Sequence, residues 1–233
     1  MQFRIINALR EAPCRAWLTN SKATAMIGYL LDYANAITAF GYLFAVIGLF
    51  MTLNGEIEFG ASAMLWTWFL DHWDGHVARK TNHLRSSDVA NFGKSFDGFA
   101  DFLHGILFPA TIIILIGKGT ILSLVASLIL ISAGAIRLSY FENVGLTKDT
   151  KFTGIPVSYD TPLVAVLLLA RPLLPDDIFA TITAAAFIIL ALLHVTTAIR
   201  VPAIRGAGVP IATGFALAGS IALASLGFAI GHL

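Results

Sequence analysis

Residues 71–101 read DHWDGHVARKTNHLRSSDVANFGKSFDGFAD, with long apolar sequence on both sides. Four aspartates of the stretch, Asp71, Asp74, Asp97 and Asp101, lie at the adjoining ends of the two apolar segments. At 3.6 residues per turn, the first two share one helical face, and the last two stack one turn apart on the next helix. An ionised aspartate in a membrane helix costs roughly 2.5–3.5 kcal/mol, so the four need a positive partner. Hard oxygen donors of this kind suit Mg²⁺, Mn²⁺ or Ca²⁺ better than Zn²⁺ or Cu²⁺.

The composition is that of a polytopic membrane protein. Of 233 residues, 57% are hydrophobic and only 12% are charged, and several apolar stretches are long enough to cross a bilayer. The net charge is +1 and the basic residues are dispersed, which indicates no nucleic-acid partner. The single cysteine, Cys14, excludes an intrachain disulfide and a thiolate metal site.

The pattern predicts an all-α bundle of transmembrane helices with six core spans and a seventh. Residues 1–32 alternate apolar and basic side chains, which predicts an amphipathic helix in the membrane interface, and residues 33–233 form one transmembrane domain. The apolar stretches predict spans at about 35–53, 59–80, 92–116, 120–140, 155–174, 175–200 and 209–230.

The basic residues are distributed unevenly about these spans. With this threading, thirteen Lys and Arg residues lie on the side of the N-terminus and the aspartates, and only Lys118 and Arg171 lie opposite. The positive-inside rule then places the aspartates at the cytoplasmic end. We expect an integral protein of a bacterial-type inner (cytoplasmic) membrane, with its site facing the cytoplasm.

The spacing of the aspartates resembles a family signature. The pattern D-x-x-D-G-x-x-A-R from Asp71 to Arg79, followed by G-x-x-x-D-x-x-x-D from Gly93 to Asp101, is similar to that of the CDP-alcohol phosphotransferases. These membrane enzymes join a CDP-activated alcohol to a second alcohol and release CMP. The family's usual gap between Arg79 and Gly93 is shorter than the thirteen residues found here, and we expect the extra residues to form a polar loop.

The resemblance implies roles for the residues of the motif. All four aspartates would bind two divalent cations, Mg²⁺ or Mn²⁺ with Ca²⁺ as a further candidate, and Asp101 would also be the base that takes the acceptor's hydroxyl proton. The segment YANAIT, with Asn35 and Thr38, is similar to the family's P-N-x-x-T near the nucleotide. Nucleotide or phosphate contacts are therefore implied for Asn35, Thr38, Gly75, Ala78, Arg79 and Gly93. For Arg79, pairing with an aspartate is an equal alternative.

The acceptor is indicated by two later segments. AIRLSYF (135–141) and FTGIPV (152–157) resemble segments of the integral-membrane phosphatidylserine synthases of this family, although Gly98 and HGILFPA depart from their pattern. Phe102 stands where relatives with phosphorylated acceptors often carry Lys or Arg. CDP-diacylglycerol is thus the expected donor and L-serine the expected acceptor, with choline, as in phosphatidylcholine synthase, as the alternative. Arg137 could contact a substrate phosphate or carboxylate or be a snorkelling anchor, and Asp160 could bind an acceptor ammonium or cap a helix.

Other features complete the expectations. His104 lies three residues past Asp101 on about the same face and could form a hydrogen bond, whereas no histidine is needed as a metal ligand beside four carboxylates. His194 is interpreted as structural or interfacial. The expected partners are the CDP-lipid, a small alcohol, membrane lipid and a second copy in a homodimer. The alternative from another class, an ion-coupled transporter or a scaffold, would release no CMP.

Overall fold

The structure, a computed structural model, describes residues 26–147, 151–203 and 208–231. The predicted N-terminal amphipathic helix falls mainly on residues 1–25, outside the described residues, while Met26–Leu31 form a short 3₁₀ helix. Within the described ranges the chain forms seven α-helices: α1 (Tyr33–Leu53), α2 (Ile57–Thr81), α3 (Ser87–Ile116, with a π-helical turn at Leu103–Leu107), α4 (Ile121–Val144), α5 (Asp160–Ala170), α6 (Asp176–Val195) and α7 (Gly208–Gly231).

Five of these helices are long and apolar enough to cross a membrane, namely α1, α3, α4, α6 and α7. Helix α2 is 25 residues long, but it carries the polar motif in its second half. Helix α5 has only 11 residues and is extended at its two ends by 3₁₀ turns at Val157–Tyr159 and Arg171–Leu173. The chain is a helical membrane protein, and the count of seven spans stays a prediction.

A two-stranded antiparallel sheet was not expected in an all-α protein. Strand β1 (Lys151–Thr153) pairs with β2 (Arg200–Pro202), with Phe152 opposite Val201. Three residues per strand are too few for an alternating pattern to be visible in the sequence. Helix α6 also ends at Val195, earlier than predicted, because the chain turns there toward β2.

The segment between the two aspartate pairs is mostly helical, which corrects the prediction of a polar loop. Helix α2 continues to Thr81, and α3 begins at Ser87 because the Ser86 hydroxyl accepts a hydrogen bond from the Val89 amide at 3.3 Å. Between them, Arg85 reaches back to α1, where its Nη2 lies 3.0 Å from Asp32 Oδ1. The additional residues therefore lengthen both helices and join them to the start of α1.

Helix α2 lies at the centre of the bundle, against α1, α5 and α7, while α4 packs on α6. Its middle is buried through Met64, Leu65 and Trp68. Near its first turn, Glu58 Oε1 accepts a hydrogen bond from Arg171 Nη1 at 3.0 Å. At 1.5 Å per residue, this ion pair lies about 20 Å along the helix from Asp71, so the aspartates are at one end of the bundle.

Candidate active site

Three of the four motif aspartates, Asp71, Asp97 and Asp101, border a cavity of about 220 Å³ at one end of the bundle. The cavity lies between the second half of α2, the first half of α3, the end of α4 and the segment that carries β1. Six of the predicted site residues line it: Asp71, Gly75, Arg79, Asp97, Asp101 and Arg137. The two-helix motif and the Arg-containing helix therefore contribute to one cavity.

Asp74 is buried, and the other three carboxylates are partly exposed but each has one buried oxygen without a hydrogen-bond partner among the described residues. Asp74 is 4% exposed and accepts a hydrogen bond from the Thr38 hydroxyl of α1. The Oδ1 atoms of Asp71, Asp97 and Asp101 are buried with no hydrogen-bond partner among the described residues. Mutually repelling carboxylates with free buried oxygens form a donor set that fits Mg²⁺ or Mn²⁺, since both cations prefer such oxygens. Asp71, Asp97 and Asp101 are thus placed where they could hold divalent cations, while Asp74 lies next to them on α2 and is bonded to Thr38.

His104 lies directly beside two of these aspartates. Its side chain is 0% exposed, and its Nε2 is 3.4 Å from Asp101 Oδ1 and 3.8 Å from Asp71 Oδ1. On the other side of the ring, Nδ1 lies 3.0 Å from Thr161 Oγ1 of α5. The predicted hydrogen bond is present, but its partner Thr161 is distant in sequence.

The π-helical turn of α3 brings another segment close to the site. Gly105, within that turn, packs against the backbone of Val157, and a Cβ at this position would lie only 2.7 Å from the Val157 carbonyl oxygen. The residues that follow Pro156 can therefore reach the cavity, where they form part of its lining. Sequence reasoning did not assign these residues, although FTGIPV marked their start.

Arg137 is 5% exposed and borders the same cavity. Its guanidinium carbon lies 5.6 Å from the ring centroid of Phe141 and 5.6 Å from that of Phe152. In the described part of the chain, its Nε has no hydrogen-bond partner and no carboxylate lies within ion-pair distance of it. A buried cation that forms no direct ion pair is costly, so this side chain is suited to bind an anionic group.

The glycines of the motif have different surroundings. Gly75 lines the cavity, where a Cβ would have only Arg79 Nη1, at 3.4 Å, within 4 Å. Gly93 is buried, and a Cβ there would collide with the Asn35 side chain and lie 2.6 Å from Arg85 Nη2. Gly75 thus leaves space for a ligand, whereas Gly93 allows α3 to approach α1.

Three of the residues expected near the nucleotide do not line the cavity. Asn35 is 1% exposed, donates through Nδ2 to the Tyr29 carbonyl at 2.9 Å and accepts from Arg85 Nη2 at 2.9 Å. Thr38 is 4% exposed, and its hydroxyl donates to Asp74. Ala78 is half-buried on α2. The structure places Asn35 and Thr38 in the packing behind the site.

Asp160 and His194 form a fully buried pair away from the cavity lining. Both side chains are 0% exposed, and His194 Nε2 lies 3.0 Å from Asp160 Oδ2. His194 Nδ1 donates to the Ile155 carbonyl at 2.9 Å. Asp160 is the first residue of α5 but forms no capping bond there. Its carboxylate is occupied within the protein, which supports a structural role for it.

Comparison with known proteins agrees with the motif. The sequence profile described as CDP-alcohol phosphatidyltransferase matches residues 31–231. The chain is also similar to the archaetidylserine synthase of Methanothermobacter thermautotrophicus, with 28% identity over 197 residues that cover 82% of this chain and 76% of the relative. The predicted likeness to the phosphatidylserine synthases is consistent with this relative. Because the profile covers nearly the whole chain and all the motif aspartates, the chain belongs to the CDP-alcohol phosphatidyltransferase family.

Proposed function

We propose that this protein transfers a phosphatidyl group from CDP-diacylglycerol to the hydroxyl of L-serine, in a divalent-metal-dependent reaction that releases CMP. The observation that carries the choice of serine is Arg137, a buried guanidinium that borders the aspartate cavity and forms no ion pair within the described chain. Serine would bring a carboxylate to this guanidinium, and an Arg–carboxylate pair is a strong charge-assisted contact.

The site residues would have separate roles in this reaction. Asp71, Asp74, Asp97 and Asp101 would hold two divalent cations, Mg²⁺ or Mn²⁺, with Ca²⁺ also compatible with oxygen donors. When bound, these cations would neutralise the pyrophosphate and stabilise the departing CMP. Thr38 would orient Asp74 through its hydroxyl.

The reaction itself would be a direct phosphoryl transfer. The serine hydroxyl oxygen forms a bond to the phosphorus that carries the lipid, the phosphoanhydride bond to CMP breaks, and the hydroxyl proton passes to the carboxylate of Asp101. Arg137 orients the acceptor from the opposite wall, and the open floor at Gly75 admits the phosphates. Arg79, at the rim, would contact the nucleotide phosphates.

Choline is the alternative acceptor, but the presence of Arg137 in the cavity lining favours serine. Choline has no anionic group and so could not form a charge-assisted hydrogen bond with the Arg137 guanidinium. Asp160, the residue considered for binding an acceptor ammonium, is already bonded to His194. The name of the archaetidylserine synthase relative also supports a serine acceptor.

The cellular setting follows from the same reasoning. We propose that the aspartate end faces the cytoplasm, where CDP-linked substrates are made, in a bacterial-type inner membrane. Membrane lipid surrounds the apolar helices, and a second copy of the chain completes a homodimer, as the family resemblance implies. An ion-coupled transporter is the alternative from another class, and it would not cleave the donor.

The test is CMP release by the purified protein in detergent. CDP-diacylglycerol or CDP-archaeol would be offered with Mg²⁺ or Mn²⁺ and, separately, L-serine, choline, inositol, inositol phosphate or glycerol phosphate. We expect metal-dependent CMP release with serine alone, abolished by EDTA. Release with choline alone would replace the proposal by its alternative. No release with any acceptor, from a folded protein that binds CDP, would refute the serine reaction, and no CDP binding would refute donor recognition as well.

A further inference from the structure

The ring of His104 is fixed by a partner that determines which nitrogen carries a proton. The Thr161 hydroxyl donates to the His104 carbonyl oxygen at 2.7 Å, and a carbonyl can only accept. Because a hydroxyl has a single proton, Thr161 Oγ1 must accept from His104 Nδ1 at 3.0 Å. We therefore assign the proton to Nδ1, which leaves the lone pair of a neutral ring on Nε2, the nitrogen that faces the aspartates.

Three electron-rich atoms, of which this nitrogen is one, lie close together. His104 Nε2, Asp71 Oδ1 and Asp101 Oδ1 are each buried without a hydrogen-bond partner among the described residues. One ligand atom from each of the three residues lies within 4.8 Å of the other two. A lone pair and two carboxylate oxygens repel one another at such distances unless a positive group lies between them.

The spacing of these atoms suits a shared cation better than a shared proton. The Nε2–oxygen distances of 3.4 and 3.8 Å exceed those of a hydrogen bond between charged groups, which are about 2.7–2.9 Å. On an ion with metal–ligand bonds of about 2.1 Å, two ligand atoms at right angles are ~3 Å apart and two opposite ligand atoms are ~4.2 Å apart. The two Nε2–oxygen distances lie between these values. A metal-bound histidine usually donates the N–H of its other ring nitrogen to an acceptor oxygen, and the Thr161 hydroxyl oxygen is in that position here.

We propose that His104 is a nitrogen ligand of one of the divalent cations, together with Asp71 and Asp101, and that Thr161 holds its ring in the ligating orientation. This inference rests on the proposed metal-dependent function and adds a nitrogen to a site otherwise made of carboxylates. Because imidazole favours later first-row metals over Mg²⁺, the site binds Mn²⁺ more tightly than Mg²⁺.

The test measures metal binding without turnover. The full chain in detergent is loaded with Mn²⁺ alone, and pulsed electron paramagnetic resonance records coupling of the ion to nitrogen, with ¹⁵N-histidine labelling to identify the ring. We expect nitrogen coupling in the unchanged protein and its loss in His104→Gln. His72→Gln is the matched control, since His72 lies beside Asp71 but donates through Nδ1 to the Trp68 carbonyl. It should retain the coupling.

A second variant tests the same proposal without replacing the proposed metal ligand His104. Thr161→Val removes the hydroxyl at nearly constant volume and should weaken Mn²⁺ binding by about 10- to 100-fold, the usual effect of removing such a supporting group. Bound Mn²⁺ without histidine coupling in the unchanged protein would overturn the inference and leave the proposed function intact. Coupling lost in His72→Gln but kept in His104→Gln would also overturn it. No Mn²⁺ binding at all would refute both proposals.

Discussion

At the scale of single residues, Asp101 combines the features that a general base in this reaction needs. It borders the cavity, and its Oδ1 has no hydrogen-bond partner within the described chain. Arg137 lines the same cavity, so an acceptor held by its guanidinium would lie close to Asp101. The carboxylate is therefore placed to take the hydroxyl proton of that acceptor.

Replacing this carboxylate by an amide should separate chemistry from binding. We expect Asp101→Asn to lower kcat by about 10²- to 10⁴-fold, the usual contribution of a positioned base, while CDP-diacylglycerol still binds. Single-turnover CMP release and equilibrium donor binding measure the two effects. Asp88→Asn, in the exposed first turn of the same helix, is the control and should keep full turnover. Full turnover in Asp101→Asn would exclude Asp101 as the base.

Arg137 gives a prediction about the acceptor alone. Hydrogen bonds to charged groups contribute about 1.5–3 kcal/mol, so Arg137→Gln should raise the KM for serine by about 10- to 100-fold. The KM for CDP-diacylglycerol should change little, and Arg171→Gln, at the other end of the bundle, should change neither value. Steady-state kinetics with each substrate varied in turn provide the measurement. A rise confined to the KM of the donor would show that Arg137 contacts a donor phosphate instead.

The motif spacing was sufficient to predict which carboxylates converge, because each pair lies within one or two helical turns. Arg137 was recognised as a candidate from its segment, although its aromatic neighbour Phe152 comes from a separate strand. The environment of His104 was not predictable, since the orientation of its ring depends on Thr161, 57 residues later in the chain. Local spacing therefore identified the carboxylates but not the complete cluster.

At the scale of helices, the contact between α1 and α3 positions the site from behind. Gly93 of α3 faces the bonded side chains of Asn35 and Arg85, and Arg85 also binds Asp32, the N-cap of α1. These bonds hold both neighbours in place, so neither can move away freely. The start of α1 and the aspartate segment of α3 are consequently fixed to each other.

A pair of glycine variants tests this contact. Gly93→Ala places a methyl group against Asn35 and Arg85, and overpacking of this kind usually costs about 1–3 kcal/mol. We expect a lower Tm in detergent. Gly98→Ala lies on the same helix with nothing within 4 Å of its added Cβ, so the better helix former should leave the Tm unchanged or raise it. Equal melting temperatures for both variants would contradict the close contact.

The long helices were predictable because an apolar run of about 20 residues is a strong signal for a spanning helix. Helices α1, α4 and α7 begin and end within a few residues of their predicted bounds. The fifth predicted span, 155–174, contains α5, but the shortness of this helix and the sheet were not predicted, since each depends on contacts between segments that are distant in sequence. One example is Gly154, whose φ of 74° lets the chain pass the end of α6, where a Cβ would collide with the His194 carbonyl.

At the scale of the whole molecule, charged groups mark two opposite ends of the bundle. Lys118 lies 3.7 Å from Asp176 at one end, where Arg171 also binds Glu58. At the other end, Lys94 lies 3.7 Å from Glu142, near the site. The structure thus agrees with the predicted threading of the chain, and the side of the membrane on which each end lies is open to experiment.

Single-cysteine labelling in sealed vesicles determines both the orientation and the number of spans. In a Cys14→Ser background, cysteines replace Asn82 between α2 and α3, Lys118 between α3 and α4, and Gly231 at the end of α7. Because the positive-inside rule places the aspartate end in the cytoplasm, a membrane-impermeant maleimide should label position 82 only from the cytoplasmic side and position 118 only from the opposite side. If the N-terminus is cytoplasmic and the chain crosses the membrane seven times, position 231 lies on the side opposite the cytoplasm. Cytoplasmic labelling at 231 would show an even number of crossings, so that at least one of the seven helices does not cross, and labelling of 82 from outside would reverse the proposed orientation of the site.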